Sequence, residues 1–167
     1  MIDDTTATIE NEDTQKDKYL TFHLAGEDYG IEIRYVIEII GIQKITDVPD
    51  MPSFIRGVIN LRGKVIPVMD VRARFGLDAR DYDDRTCIIV VNVDTTEVGL
   101  VVDEVSEVAD IPESQVEPAP RTNKDIDGSY IQGMGKIGKQ VKILLDVHRL
   151  LFSGQEMQAL ADSLEDM

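Results

Sequence analysis

From residue 18 onward, apolar and polar residues alternate with the two-residue period of extended chain. Tyr19-Leu20-Thr21-Phe22-His23-Leu24 is rich in strand-forming residues, and Gly26-Glu27-Asp28 follows as a turn. Tyr29-Gly30-Ile31-Glu32-Ile33 alternates as a half-buried strand does. Val58 through Met69 reads as a hairpin turning at Arg62-Gly63-Lys64. Cys87-Ile88-Ile89-Val90-Val91 and Val98-Gly99-Leu100-Val101-Val102 are near-continuous apolar runs, which predicts central strands buried on both faces. The stretch from Asn92 to Glu97 is a polar connection between them. A helical pattern is confined to the end: Ser153 reads as an N-cap, Glu156 completes a capping box, and Met157, Leu160, Ala161 and Leu164 share a face. Short strands, Gly/Pro turns and little helix predict an all-β protein of barrels or a sandwich.

The pattern repeats. Tyr29 to Ile39 aligns without gaps on Val98 to Val108, bringing Gly30 onto Gly99, Val36 onto Val105 and Glu38 onto Glu107, 69 positions apart. A second block, 76 positions apart, brings Ile55-Arg56-Gly57 onto Ile131-Gln132-Gly133, Val65 onto Val141, and Asp70-Val71 onto Asp146-Val147. Both blocks occur in the same order, so each half reads as strand–Gly–strand, a Pro-rich connection, a hairpin and Asp-Val. The expectation is two related small barrels, of residues 18–81 and 82–152, meeting near Tyr82-Asp83-Asp84.

The 167 residues allow one domain or two small subdomains, and 43% hydrophobic residues suffice for a core. Seventeen basic against 32 acidic residues leave a net charge of −15, which disfavours binding to phosphate backbones and to anionic membrane surfaces. Residues 1–17 carry six acids and one base, and residues 156–167 carry four acids and no base, so both ends read as solvated acidic tails. No stretch is apolar for long enough to span a membrane, and Met1-Ile2-Asp3-Asp4 is unlike a signal peptide; a cytoplasmic, free-standing protein is expected. Cys87 is the one cysteine, which excludes an internal disulfide or a CxxC metal site, and it reads as an inert core thiol.

Candidate chemistry is sparse. Gly133-Met134-Gly135-Lys136-Ile137-Gly138 fits GxGxxG, but an alternating strand follows it where a dinucleotide site needs a helix. Its glycines read as turn residues. Asp81, Asp83 and Asp84, and likewise Asp103, Glu104 and Glu107, lack calcium-loop spacing and read as solvated faces. No nucleophile elbow and no metal ligand set is present, so neither a cofactor nor catalysis is expected. With 5% aromatic residues and no Trp, the chain also lacks the stacking platforms of an oligonucleotide-binding barrel. A surface for other proteins remains. Arg62, at a hairpin tip, suits a hot spot, and Glu38, alone on an apolar strand, reads as an edge-protecting charge or a partner contact.

The segment Gly57-Val58-Ile59-Asn60-Leu61-Arg62-Gly63-Lys64-Val65-Ile66-Pro67-Val68-Met69-Asp70-Val71-Arg72 resembles the signature of the CheW family of bacterial chemotaxis coupling proteins. Tyr29-Gly30-Ile31, Pro52 to Gly57, Val98 to Val105, Pro118-Ala119-Pro120 and Tyr130 to Gly133 extend the resemblance over residues 18–152. It implies two five-stranded SH3-like β-barrels and a non-enzymatic adaptor. Such an adaptor, a monomer when free, joins the cytoplasmic tips of methyl-accepting chemotaxis receptors to the histidine kinase CheA and is recruited to receptor arrays. A related kinase-array pathway such as surface motility is the alternative. By the same resemblance, Val36, Glu38, Gly57, Arg62, Ile88, Gly99, Val105 and Val108 would meet the receptor tip in a groove between the barrels. Arg56, Pro67 and Val68 would meet the kinase regulatory domain. A further kinase contact in the family lies near Glu117 and Thr122, where this sequence lacks the expected basic and aromatic residues.

Overall fold

The structure, a computed structural model, describes residues 15–119 and 130–153. Its elements, in chain order, are β1 (Lys18–Leu24), β2 (Glu27–Glu32), β3 (Val36–Gly41), β4 (Ile55–Leu61), β5 (Lys64–Asp70), α1 (Val71–Arg74), β6 (Cys87–Val93), β7 (Thr96–Val102), β8 (Glu104–Asp110), β9 (Val116–Glu117), β10 (Ile131–Ile137), β11 (Gln140–Leu145) and α2 (Val147–Phe152). Local chemistry sets the turns. The β4–β5 hairpin closes through Arg62 and Gly63, with φ of +53° and +85°, a left-handed pair whose twist matches the flanking strands. Gly63 suits this geometry, and its N–H donates to Asn60 Oδ1 at 2.9 Å.

Six strands form one sheet in the order β8-β1-β2-β11-β10-β9, and five form the other in the order β3-β6-β7-β5-β4. The two orders correspond strand for strand: β8 to β3, β1 to β6, β2 to β7, β11 to β5 and β10 to β4. The repeat read from the sequence is therefore real in space. In both barrels a repeat glycine sits opposite the parallel partner from the other repeated block: Gly30 beside Leu144, and Gly99 beside Val68. The sixth strand also has its counterpart, because β9 pairs with β10 where the bridge Thr46–Val58 closes the other barrel against β4.

The division at residues 81 and 82 is corrected by this pairing. It separates the repeats but not the barrels. Hairpin β1–β2 belongs with β8–β11, and hairpin β6–β7 with β3–β5, so each barrel takes its first hairpin from the other repeat. Similarity along the chain records the order of elements and is silent on which edges hydrogen-bond. The chain changes sheets twice, through the 3₁₀ turn Ile33–Tyr35 and through Asp103 between β7 and β8.

This exchange explains the two-faced apolar runs. Ile88 and Val90 point into the five-stranded barrel, with Ile59, Ile66, Val68 and Val101. Ile89, Val91 and Val93, the alternate residues, enter a larger core between the sheets with Leu20, Phe22, Leu24, Tyr29 and Ile31. Phe22, Tyr29, Phe75 and Tyr130 run through that core with ring centroids 5.7–5.8 Å apart. A smaller cluster of Tyr19, Ile111 and Leu144 fills the six-stranded barrel.

Two short helices lie where the sequence pattern showed none. Asp70 caps α1 by accepting from Ala73 N, and Asp146 caps α2 by accepting from Arg149 N. The repeated Asp-Val pair was thus a cap followed by the first helical residue. Arg74 of α1 donates to Leu150 O, at 3.0 Å, and to Ser153 O, at 2.6 Å, tying the helices together. The helix expected from Ser153 onward lies outside the described residues.

Candidate functional site

Glu38 lies on β3, an edge of the five-stranded sheet, and Arg62 at the tip of β4–β5 reaches across to it. The guanidinium grips the carboxylate through both oxygens, Nη2 to Oε2 at 2.8 Å and Nη1 to Oε1. Those hydrogen bonds hold the Glu38 carboxyl below the usual carboxylate range, although the pair lies at the surface. The lone acid on the apolar strand therefore has a partner within the chain, which neither sequence reading of it foresaw.

Register adds an apolar component. Val36 pairs with Val91 and Glu38 with Val90, so Ile37 is the extra residue of a β-bulge. Ile37 and Ile39 then face solvent, at 46% and 43% exposure, while Glu38 faces the cleft. That cleft, of about 110 Å³, is lined by Ile37, Glu38, Leu61, Arg62, Lys64, Ile66, Val90 and Glu97. Lys64 and Glu97 add a second ion pair at 3.3 Å. The space is smaller than the ~300 Å³ from which small-molecule pockets begin, and suits one or two side chains of another protein. Sequence reasoning did not single out Ile37 and Ile39. Their signal, two isoleucines flanking a charge, is indistinguishable from core strand until the bulge is seen.

The eight expected receptor residues divide by burial. Arg62, Glu38 and Val108 reach the surface, and Val108, on edge strand β8, is 52% exposed. Val36 and Val105 are half-buried and pack against the same core between the sheets. Ile88, Gly57 and Gly99 are buried and offer a partner no side chain. A Cβ on Gly99 would meet Ile88 Cγ2 at 2.7 Å inside the barrel. One on Gly57 would meet the Thr46 carbonyl oxygen at 2.1 Å. These residues act on the surface only by setting the strands that carry it.

The expected kinase residues divide in the same way. Val68 and Pro67 are buried, and Val68 belongs to the barrel core. Arg56 is partly exposed and bonds Asp70 at 3.3 Å. Asp70 also accepts from the Tyr82 hydroxyl at 2.9 Å. Burial, then the Asp70 charge, push the Tyr82 phenol up to about 12. Ile45, Asp47, Arg56, Arg80, Asp81 and Tyr82 line a shallow depression of about 280 Å³. Glu117, on β9, pairs with Lys136 at 2.6 Å, and Thr122 lies outside the described residues.

The other candidate chemistry resolves into structure. Gly133 and Gly135 are strand residues of β10 beneath Val116 and Ile111, not turn residues; Gly138 alone, with φ of +59°, lies in the turn. Asp103 is corrected as well: its side chain is 12% exposed and gathers several donors, so it is no solvated face. Cys87 is half-buried against the inter-sheet core. Among the described residues, no helix is long and apolar enough to cross a membrane, and no three His, Cys, Asp or Glu are placed to hold a metal.

Paired barrels with exchanged hairpins, and a bulged edge strand beside an ion-paired hairpin tip, define a double SH3-like module with a surface suited to protein side chains. The chain belongs to the CheW-like domain family, whose profile matches residues 18–155. It is 40% identical over 152 residues to Chemotaxis protein CheW of Klebsiella aerogenes, covering 91% of this chain and 90% of that one. It is 36% identical to Chemotaxis protein CheW of Bacillus subtilis, covering 87% and 94%. Protein FrzA of Myxococcus xanthus is 28% identical, covering 83% and 88%. The crystal structure of the scaffolding protein TtCheW from Thermoanaerobacter tengcongensis superposes with a TM-score of 0.77 at 39% identity, covering 84% of this chain and 96% of that one.

Proposed function

We propose that the chain is a non-enzymatic scaffold of chemotaxis, coupling methyl-accepting receptors to a CheA-type histidine kinase so that receptor state controls autophosphorylation. The observation that carries this reading is the surface of β3 and the β4–β5 tip. Ile37 and Ile39 are exposed there beside the bidentate Arg62–Glu38 pair, which borders a small cleft. Apolar anchors beside an oriented guanidinium are what a helical receptor tip would use. Val36, Val105 and Val108 extend this receptor face. Arg56, the one exposed member of the second set, marks the kinase face. The protein works in the cytoplasm, recruited to receptors in the membrane.

Reconstitution tests this. Purified protein is mixed with a receptor signalling fragment and the kinase, and autophosphorylation is followed with and without it. Receptor-dependent activation that requires the protein is expected. Equal kinase rates in its presence and absence, with no binding to either partner, would overturn the reading.

A further inference from the structure

Asp103 stands at the point where the chain leaves the five-stranded sheet for the six-stranded one. Its carboxylate accepts from Arg72 Nε at 2.8 Å and Nη2 at 2.7 Å, from Arg80 Nη1 at 3.3 Å, and from the backbone N–H of Ala25 at 2.9 Å. These donors come from three places. Arg72 belongs to α1, which follows the five-stranded barrel; Arg80 belongs to the segment joining the repeats; Ala25 is the turn of β1–β2 in the six-stranded barrel. The side chains of Asp103 and Arg72 are 12% and 15% exposed. Arg72 also donates to Asp78 O at 2.9 Å, pinning the joining segment a second time.

The repeat supplies an internal control. Arg34 occupies the position in the other crossover that corresponds to Asp103. Its side chain is 60% exposed, bonds Glu32 two positions away at 3.4 Å, and lies over the ring of Tyr35. One crossover is locked by a half-buried ionic hub; at the other, Arg34 bonds locally while Ile33 and Tyr35 pack against the inter-sheet core. Two residues beyond Asp103 is Val105, which borders the inter-sheet core together with Val36.

We propose that Asp103 is a positioning residue whose half-buried carboxylate, by gathering Ala25, Arg72 and Arg80, fixes the angle between the barrels and thereby the spacing of Val36 and Val105. The consequence for receptor binding rests on the adaptor reading above. The consequence for barrel geometry does not. Charge and geometry both matter to the hub: the fork of Arg72 needs two acceptor oxygens, which an amide cannot supply.

The test places nitroxide labels on Val65→Cys and Val141→Cys, exposed sites on different barrels, in a Cys87→Ala full-length chain. Pulsed electron spin resonance then reads the distance distribution. A control pair, Lys44→Cys with Val65→Cys, lies within one barrel. Asp103→Asn is expected to broaden the distribution between barrels and leave the control unchanged. Receptor-fragment affinity of the unlabelled Asp103→Asn protein should fall roughly five- to tenfold. Arg72→Lys, which keeps the charge and loses the fork, should broaden it less; if Asp103→Asn fails to fold, Arg72→Lys carries the test. A folded variant with the parent's distribution would overturn the proposal, as would lost affinity without broadening. If the unaltered protein binds no receptor fragment, the adaptor reading fails, and the distance distributions still decide for or against the positioning role of Asp103.

Discussion

Replacing Gly57 with alanine tests how the five-stranded barrel is closed. Gly57 has φ of +147°, a region that side chains rarely adopt. The new Cβ would lie 2.1 Å from the Thr46 carbonyl oxygen and 2.8 Å from its carbon, which are backbone and cannot swing aside. Relief requires the bridge Thr46–Val58 to open, with its two hydrogen bonds of 2.8 and 2.9 Å. At about 0.5–1.5 kcal/mol for each bond and about 1–3 kcal/mol for the strained backbone, the cost centres near 4 kcal/mol. For a chain of this size that lowers Tm by about 8–16 °C. Gly133 is the equivalent position in the other barrel, and its nearest obstacle is a side-chain atom, Val116 Cγ1 at 2.7 Å. Gly133→Ala should therefore cost less, about 1–2 kcal/mol of overpacking. Urea titration of both variants gives the comparison. A Gly57→Ala cost below about 1 kcal/mol, or no larger than that of Gly133→Ala, refutes the closure argument.

Arg62→Asp and Glu38→Arg should each weaken receptor-fragment binding with little change in the urea midpoint, since the pair lies at the surface; a lowered midpoint with unchanged binding would make the pair structural. Asp146→Ala should lose about 1 kcal/mol, the worth of one helix cap, whereas Asp70→Ala should lose about 3 kcal/mol, because Arg56 and Tyr82 also lose their acceptor; equal losses by calorimetry would show those bonds to be idle. Tyr82 should be the last tyrosine to ionise in an absorbance titration. Its folded value of about 12 exceeds the unfolded value near 10, so its contribution is intact below pH 10 and is lost as pH rises toward 12. Tyr82→Phe should flatten stability over that window, and an unchanged pH slope would refute the assignment. Separate expression of residues 1–81 and 82–167 should yield two unfolded chains, since neither holds a whole barrel; a folded, monomeric half by circular dichroism and sedimentation would contradict the exchange.

The strands and the β4–β5 hairpin were legible because period-two alternation and the Arg62-Gly63 turn are local properties. The repeat was legible because both barrels need the same glycines: Gly30 and Gly99 under a parallel neighbour, Gly57 and Gly133 under the closing segment. What could not be read depends on pairing between distant residues. Asp70-Val71 reads equally well as the end of a strand or as a cap until α1 is seen to turn over Phe54, whose carbonyl accepts from Asp70 N at 2.8 Å. Asp103 looked solvated because its donors lie 23, 31 and 78 positions away in the chain. Ile37 and Ile39 were not singled out because the outward apolar face of an edge strand leaves no mark in composition.

The exchange of hairpins gives these observations a common cause. A small barrel whose strands faced only its own interior would show polar residues on the alternate face. Here the alternate faces of β1, β2, β6 and β7 meet each other, and the largest core lies between the barrels. Each repeat contributes a hairpin to the other's barrel, so moving one barrel against the other strains two chain crossovers. One of these is held by the ion pairs of Asp103 and the other by Ile33 and Tyr35 packed against the inter-sheet core. A structure joined in this way transmits a load applied at one barrel through defined covalent routes. The receptor face proposed above, which draws on β3 of one barrel and β8 of the other, would depend on that property, and its sensitive residues would then include the crossovers as well as the exposed contacts.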